Sequence, residues 1–600
     1  MILVSLFSLA FAFWLMTSTI AFDANTNTLQ MAGKIWSDFS AHIPVIRSFS
    51  YGYNWPVEYP IYPGAPIRYH FLFYWLVAML EKIGIRIDWA INIPSIIGFA
   101  ALLIVIYGIT KTIIKKKWAG WVAMILFLCN GSLSFLKYFE THPLSTQTPM
   151  NIYTNTKFPA FAPWDGGIIS AFWNLNIYTN QRHLAGAFAI VLGWIWYWAK
   201  IREIPWKNQN KWMTLVLGIT IGILPYAHQP SLMIMGIFMA CYIILYKHLR
   251  IHLILGGIIG ALIAIPQLIP LFSSESATSF SYHPGYLIET ALTMQTIIKY
   301  WWQNLGISMI LIPLGFILLP NKDKKFMLPL IPLFIIPNCF KFSIEIAANH
   351  KFFNFFLIMG NILTIYVLQK ILSIKISHLM GDMHWGATKK GSPCGYFWGK
   401  MHDRTHQMIY KNVINFAGSI EKFSGFTCSF GGGIYTISKY CLVATIFLFL
   451  TLSGIIDLFP IINDPKYELV DMPKNETAQW IEKNTPKDTI FLNSSYMYHP
   501  ASLAGRKIFL GWPYFPWSAG YKENRMPIMK TMYESDKQIY CPLFQKYHIS
   551  FISVENVFGN PDLPTINLET YLEKFTPIYL NANKSYAIFT AEELCKEKEK

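Results

Sequence analysis

Acids and imidazoles are scarce in this chain, 33 Asp and Glu and 15 His among 600 residues, so the stretches that gather them stand out. The first reads Lys34-Ile-Trp-Ser-Asp38-Phe-Ser-Ala-His42-Ile-Pro-Val-Ile-Arg47. Asp38 and His42 are four apart, so a helix puts them on one face, and Arg47 can approach the same side. A carboxylate and an imidazole among Trp and Tyr at a membrane surface can position and deprotonate a hydroxyl, or hold a cation. The alternative is a polar face hydrogen-bonded to neighbouring loops. Pro66-Ile-Arg68-Tyr69-His70 adds a guanidinium and a second imidazole nearby in sequence.

A second stretch joins Pro163-Trp164-Asp165-Gly166-Gly167 to Asn174-Leu-Asn176-Ile-Tyr-Thr-Asn180-Gln181-Arg182-His183, directly before an apolar run. A sugar site needs such amide and guanidinium surfaces, and Arg182 can grip a phosphate with two prongs. A capped, solvated helix start is the plainer reading. His228, in Pro225-Tyr-Ala-His228-Gln-Pro230, falls at a turn between two apolar runs, where a lone histidine is more often structural than functional. Asn349-His350-Lys351 opens a late apolar run. The lysine either reaches to the headgroups or, with its neighbours, binds a lipid-linked phosphate. No HExxH, paired CxxC or P-loop motif occurs. A divalent cation is left open and no other cofactor is called for.

The elements that hold these residues belong to a membrane protein. Charged residues are 14% of the chain and hydrophobic ones 53%, against about 25% charged in an ordinary soluble domain. Eleven apolar stretches near the length that crosses hydrocarbon are expected at 2–22, 89–113, 118–136, 184–200, 212–227, 230–246, 252–271, 306–320, 326–342, 351–374 and 441–460. The first is read as a retained helix because it lacks a basic leader. Tyr69–Ile83 is read as an amphipathic helix lying on the surface, since counting it as a span would put Lys115, Lys116 and Lys117 outside. With the N-terminus inside, loops 111–117, 200–211, 247–252, 321–325 and 370–440 face the cytoplasm and carry 22 of the 49 Lys and Arg but only 5 of the 33 acids. The excess of +16 is thereby an orientation signal and not a nucleic-acid surface.

Residues 1–460 are thus expected to form the transmembrane domain, with 23–88 as a long first outer loop and 375–440 as a basic cytoplasmic loop. Past 460 the pattern changes to short strands, at Thr489–Leu492, Lys507–Leu510 and Ile549–Val554, and short helices, at Ala478–Lys483 and Leu568–Phe575. Residues 461–600 therefore read as a small extracytoplasmic α/β domain. Cys541 and Cys595 are its two cysteines, either bridged or free. The glycines Gly256, Gly257 and Gly260 suit close helix packing.

This layout resembles the GT-C superfamily of polytopic glycosyltransferases. Arg68-Tyr69-His70-Phe-Leu-Phe-Tyr74-Trp75, with Glu81-Lys82-Ile-Gly84 and Asn92-Ile-Pro94-Ser95, is similar to the surface helix and second span of aminoarabinose transferases and related bacterial enzymes. Lys351 is similar to the lysine at the opening of a late span in those enzymes. Ala504-Gly505-Arg506, Gly511-Trp512-Pro513 and Trp517-Ser-Ala-Gly520-Tyr521 resemble the outer domain of bacterial and archaeal members. The resemblance implies Asp38 as catalytic base or metal ligand, a polyprenyl-phosphate sugar as donor, and a lipid, glycan or protein acceptor at the outer face of the cell membrane. It departs in having no Asp-Asp or Asp-x-Asp pair, which puts metal dependence in doubt. A transporter or flippase, with ionisable groups in mid-membrane, and a non-catalytic member of the superfamily are the rival readings.

Overall fold

The computed structural model describes residues 1–272, 280–373 and 433–596. Most of the expected cytoplasmic loop 375–440, with Cys394, Cys428 and most of its glycine run, lies outside the described residues. Contacts divide the chain into two compact units, 1–365 with 449–600, and 366–448. In the second, Lys439 Nζ donates to the Leu372 carbonyl at 3.3 Å. The functional groups considered below all belong to the first.

α1 (Ile2–Thr19) is apolar on every side and leaves Leu3, Leu6, Leu9 and Phe13 exposed, as a lipid-facing helix does. It runs into the hairpin β1 (Ile20–Asp23) and β2 (Thr28–Ala32), then into α2 (Gly33–Ser50). A short hairpin of β3 (Glu58–Tyr59) and β4 (Tyr62–Pro66) leads to α3 (Leu72–Lys82), a single amphipathic helix within the stretch read as interfacial. α4 (Ile87–Ile114) opens with Asp88, which pairs with Arg86 at 2.6 Å and accepts from the Phe22 N–H at 3.1 Å, so the first loop is tied to the start of a span.

The later apolar runs give α5 (Lys117–Leu128), α6 (Arg182–Ile201), α7 (Trp212–Ala227), α8 (Gln229–Leu245), α9 (Arg250–Phe272), α10 (Met294–Leu305), α11 (Ser308–Leu318), α12 (Leu330–Cys339), α13 (His350–Ser373) and α14 (Gly433–Ile462). Among the described residues six helices are long and apolar enough to cross a membrane, and α10 with α11 form a pair bent by 91° that could add a seventh. The expected count of eleven is therefore not reproduced. α5 stops after 12 residues, not near 136, and α12 after 10. At about 1.5 Å per residue neither spans about 30 Å alone. α4 and α6 cross at glycines, where a Cβ on Gly98 would stand 3.0 Å from Gly186 Cα, and α7 meets α9 through Gly218, Gly222, Gly256 and Gly260.

After α14, β5 (Lys466–Leu469) pairs with β2 to complete a three-stranded sheet. The remaining strands, β6 (Ile490–Leu492), β7 (Lys507–Ile508), β8 (Ile549–Glu555), β9 (Tyr579–Leu580) and β10 (Tyr586–Thr590), form one five-stranded sheet in the order β9-β10-β8-β6-β7. β8 runs parallel to β6 and antiparallel to β10. Cys541 and Cys595 are bridged, 5.9 Å apart at Cα. The apolar core of this sheet, with Phe491 and Ile552, is continuous with Phe39 of α2 and Tyr74 of α3. Strand pairing and core packing thus run across residue 460.

Candidate functional site

α2 is fixed at its start by Asp464, which accepts from the Lys34 N–H at 2.6 Å and pairs with Lys34 Nζ at 2.6 Å. One turn later Asp38 is half-buried, and its carboxylate makes no hydrogen bond to a described residue. Burial raises its pKa to about 6; the Lys351 ammonium pulls it down and the Glu345 carboxylate adds to the rise. Lys351 opens α13 and likewise hydrogen-bonds no described residue. Glu345 lies six residues before it and accepts from the Tyr514 hydroxyl. Asp38 also bears on Tyr498 and Tyr514, two tyrosines of the sheet domain. The electrostatics of this carboxylate thus link three distant parts of the chain, α2, the entry of α13 and the C-terminal domain.

Next to Asp38 lies a buried imidazole cluster. His42, on the same face of α2, is packed between Phe39 and Tyr74, its ring 5.4 Å and 4.8 Å from theirs. Burial and the Arg182 charge lower its pKa to about 3, so it stays neutral. His70 Nε2 lies 2.6 Å from His183 Nε2, and the Tyr74 hydroxyl lies 3.2 Å from His183 Nδ1. One of the two facing nitrogens must donate and the other accept, which fixes opposite tautomers and lets Tyr74 complement the far nitrogen of His183. Burial, then the charges of His228 and Lys351, push the His70 pKa well below its ordinary value. His228 stands 5.3 Å from the His70 ring and 5.4 Å from the His183 ring. Its Nδ1 pairs with Ser231 Oγ at 2.8 Å, and its Nε2 has no hydrogen-bond partner among the described residues.

Several expected site residues are held elsewhere. Arg47 does not share the Asp38 face: nine residues at about 100° each is half a turn away. There it is fully buried, gripping Asp471 at 2.7 Å and Glu81 at 3.3 Å. Arg182 does not present its guanidinium to a phosphate either. Its nitrogens donate to Thr179 O (2.8 Å), Met16 O (3.3 Å), Met16 Sδ (2.8 Å), Asn92 Oδ1 (3.2 Å) and Thr19 Oγ1 (2.6 Å), bolting α6 to α1 and α4. Arg68 donates to Gly520 O at 2.5 Å and lies over the Tyr521 ring, linking the first loop to the sheet domain.

Asp165 closes its own exposed turn, accepting from Phe161 N and Gly167 N at 2.6 Å and 2.8 Å. Asn176 bonds Thr179 within its turn, and Asn349 donates to Pro337 O and Phe340 O, both latches of local backbone. His350 stacks on Phe172 at 4.5 Å with Nδ1 facing Asn354. Gln181 is half-buried, and its Oε1 has no hydrogen-bond partner among the described residues.

Sequence reading passed over Glu345, Tyr498 and Tyr514, which come within electrostatic range of Asp38 only because of tertiary packing. Glu345 alone carried a local signal, six residues before Lys351 at the same span entrance. No group of three His, Cys, Asp or Glu side chains among the described residues is arranged to hold a metal ion.

No family model matches the chain, and no curated protein matches it. In fold it is similar to the Archaeoglobus fulgidus oligosaccharyltransferase in the apo form, at 12% identity and a TM-score of 0.47 over 92% of this chain and 69% of that one. It is also similar to ArnT from Cupriavidus metallidurans in the apo state, at 11% identity and a TM-score of 0.43 over 97% of this chain and 96% of that one. Likeness at this level carries no residue's role across.

The arrangement has a defined chemical capacity. A carboxylate ionised at neutral pH, yet basic enough to take a proton, lies within electrostatic reach of a lysine that hydrogen-bonds no described residue and also feels Glu345. The imidazoles beside them are neutral or hydrogen-bonded to one another. Such a site can accept a proton on one side of a reacting bond and offset anionic charge on the other.

Proposed function

We propose that the chain is an integral membrane glycosyltransferase that moves a sugar from a polyprenyl-phosphate donor to a lipid, glycan or protein acceptor. The observation that supports this most is the convergence of Asp38 and Lys351, more than 300 residues apart, with neither group consumed by another described side chain. The GT-C resemblance of the first-loop acid and the late-span lysine points the same way.

In this reading the donor phosphate meets Lys351, whose charge offsets the leaving group as the bond from the anomeric carbon to phosphate oxygen breaks. Asp38 takes the acceptor proton as the acceptor oxygen or nitrogen attacks that carbon from the opposite face, so the configuration inverts. His42, being neutral, adds no charge to the acceptor side. The Lys and Arg excess in the loops read as cytoplasmic is consistent with an N-terminus inside and a sheet domain outside, and in this reading the reaction belongs to the outer face of the cell membrane.

Membranes containing the inserted protein, supplied with radiolabelled lipid-linked sugars, provide the test. Asp38→Asn is expected to lower transfer by about 10²- to 10⁴-fold and Lys351→Met by about 10²-fold or more, at unchanged protein level. Full transfer by Asp38→Asn would remove the base. Flux of a lipid-linked substrate in proteoliposomes without any covalent product would instead establish a transporter.

A further inference from the structure

The opposite end of the same helices carries a second polar feature that sugar transfer does not use. α6 runs roughly 30 Å from His183 in its first turn to Arg202 just past its end. There the loops after α6, after α8 and before α12 come together. Arg202 pairs with Asp323, Lys322 pairs with Glu203 at 2.7 Å, and Gln209 donates to the His248 carbonyl at 2.8 Å. They bound an open cleft of about 430 Å³ whose wall includes five cations, Arg202, Lys247, Arg250, Lys322 and Lys325, and one carboxylate, Glu203.

Arg202 is 7% exposed and lies over the Phe326 ring at 4.8 Å. Its Nη2 serves Asp323, while its Nη1 and the Tyr246 hydroxyl, close enough for the guanidinium to bear on the phenol, make no well-aligned hydrogen bond to a described residue. A buried guanidinium N–H without a well-aligned acceptor is costly to leave so. The cationic surroundings select an acceptor that is anionic and has several oxygens, which a phosphate supplies.

The mouth of the cleft is apolar. Ile244 is 76% exposed there, and Ile251, Leu255 and Ile258 continue an exposed apolar strip along α9. Trp212 at the start of α7 is 73% exposed, as tryptophans of the membrane–water boundary are. A free phosphate has no use for such a mouth, whereas a phospholipid would lay its chains along it.

We propose that this cleft binds the phosphate of an anionic phospholipid headgroup, with Arg202 Nη1 and the Tyr246 hydroxyl donating to its oxygens and Lys247 and Lys325 supplying the surrounding charge. The acyl chains lie over Ile244 and the α9 strip. This assignment is independent of Asp38 and of the reaction proposed for it.

The test uses the full-length protein in nanodiscs of phosphatidylcholine doped with phosphatidylglycerol, with retained lipid counted by native mass spectrometry. At least tenfold preferential retention of phosphatidylglycerol is expected. Lys247→Glu combined with Lys325→Glu, both exposed positions, should abolish that preference while leaving the melting temperature in pure phosphatidylcholine unchanged. Equal retention of the two lipids by the unaltered protein, or an unchanged preference in the double variant, overturns the proposal. Inorganic phosphate offered to the delipidated protein is expected to bind at least tenfold more weakly than the lipid. Phosphate binding as tight as the lipid, and lost in the double variant, would assign the cleft to a soluble phosphate and overturn the lipid.

Discussion

At Asp38, burial raises the carboxyl to about 6, so the group is mostly ionised at pH 7 and yet remains a far better proton acceptor than an exposed aspartate. The sign of the pH dependence follows. Below about pH 6 the carboxyl carries its own proton and cannot take another, so transfer should fall about tenfold per unit of acidification, with an apparent pKa near 6 on the acid limb. A rate profile of kcat/KM between pH 4.5 and 8 checks this; a limb near 4 would mean that Asp38 is solvated in the working enzyme. Arg182 shows the opposite case, a residue whose type invites a binding role that its contacts preclude. Arg182→Met should lower stability by about 2–4 kcal/mol, since buried carbonyls and a hydroxyl lose their donor, with the donor KM unchanged within about threefold in the folded fraction. A tenfold rise in KM at unaltered melting temperature would return Arg182 to the site. The i, i+4 spacing of Asp38 and His42 was legible because it is a property of one helix. What Arg182 and Arg68 bond to was not, because Asn92, Met16 and Thr19 for the one and Gly520 for the other lie 90 or more positions away in the chain.

At the scale of elements, the apolar runs located the helices well and their ends badly. Length along a hydrophobic run does not reveal where backbone packing cuts it: α5 ends at Leu128, just before Cys129 and Gly131, which crowd Gly454 and the Leu450 carbonyl of α14. Interior prolines stand in others, Pro313 within α11 and Pro337 two residues before the end of α12. Gly505 shows how one residue places α2. It sits at φ +78°, in the left-handed region, and a Cβ there would stand 2.5 Å from Arg47 O and 2.6 Å from Gly52 N. The last turn of α2 thus rests directly on backbone of the sheet domain, and Arg506 beside it donates to carbonyls of Tyr51, Glu482 and Thr485. Gly505→Ala combines a backbone cost of about 1–2 kcal/mol with a clash that only movement of α2 relieves. The expected result is a melting temperature lower by several degrees, together with a drop in transfer larger than the lost stability explains, because Asp38 moves with α2. Unaltered melting would show that the contact is looser than it stands.

For the whole molecule, the change of composition near residue 460 is plain in the sequence, but the partnership that makes the C-terminal part fold is not. β5 completes a sheet with β2, Leu469 opposite Leu29, and Asp471 just beyond β5 is the main partner of the buried Arg47. Ile508 N and Gly511 N donate to Pro60 O and Ile61 O, so the first loop also borders the five-stranded sheet. Pairings between residues some 440 positions apart have no local periodicity from which they could be read. They also determine what a fragment will do. Residues 461–600 alone would expose the β5 edge and the apolar residues that cover Phe39 and Tyr74, and edges of this kind recruit other chains. The isolated fragment should therefore unfold without a cooperative transition or aggregate, even with the Cys541–Cys595 bridge intact. Joining residues 20–86 to it through a flexible linker should restore a single cooperative transition in urea, because the fused segment supplies β2, α2 and α3. Arg47→Ala in that fusion leaves Glu81 and Asp471 without their buried cation and should remove about 3–5 kcal/mol. Circular dichroism against urea measures all three. A fragment 461–600 as stable as the fusion would show that the sheet domain folds on its own core and that the first loop merely rests on it.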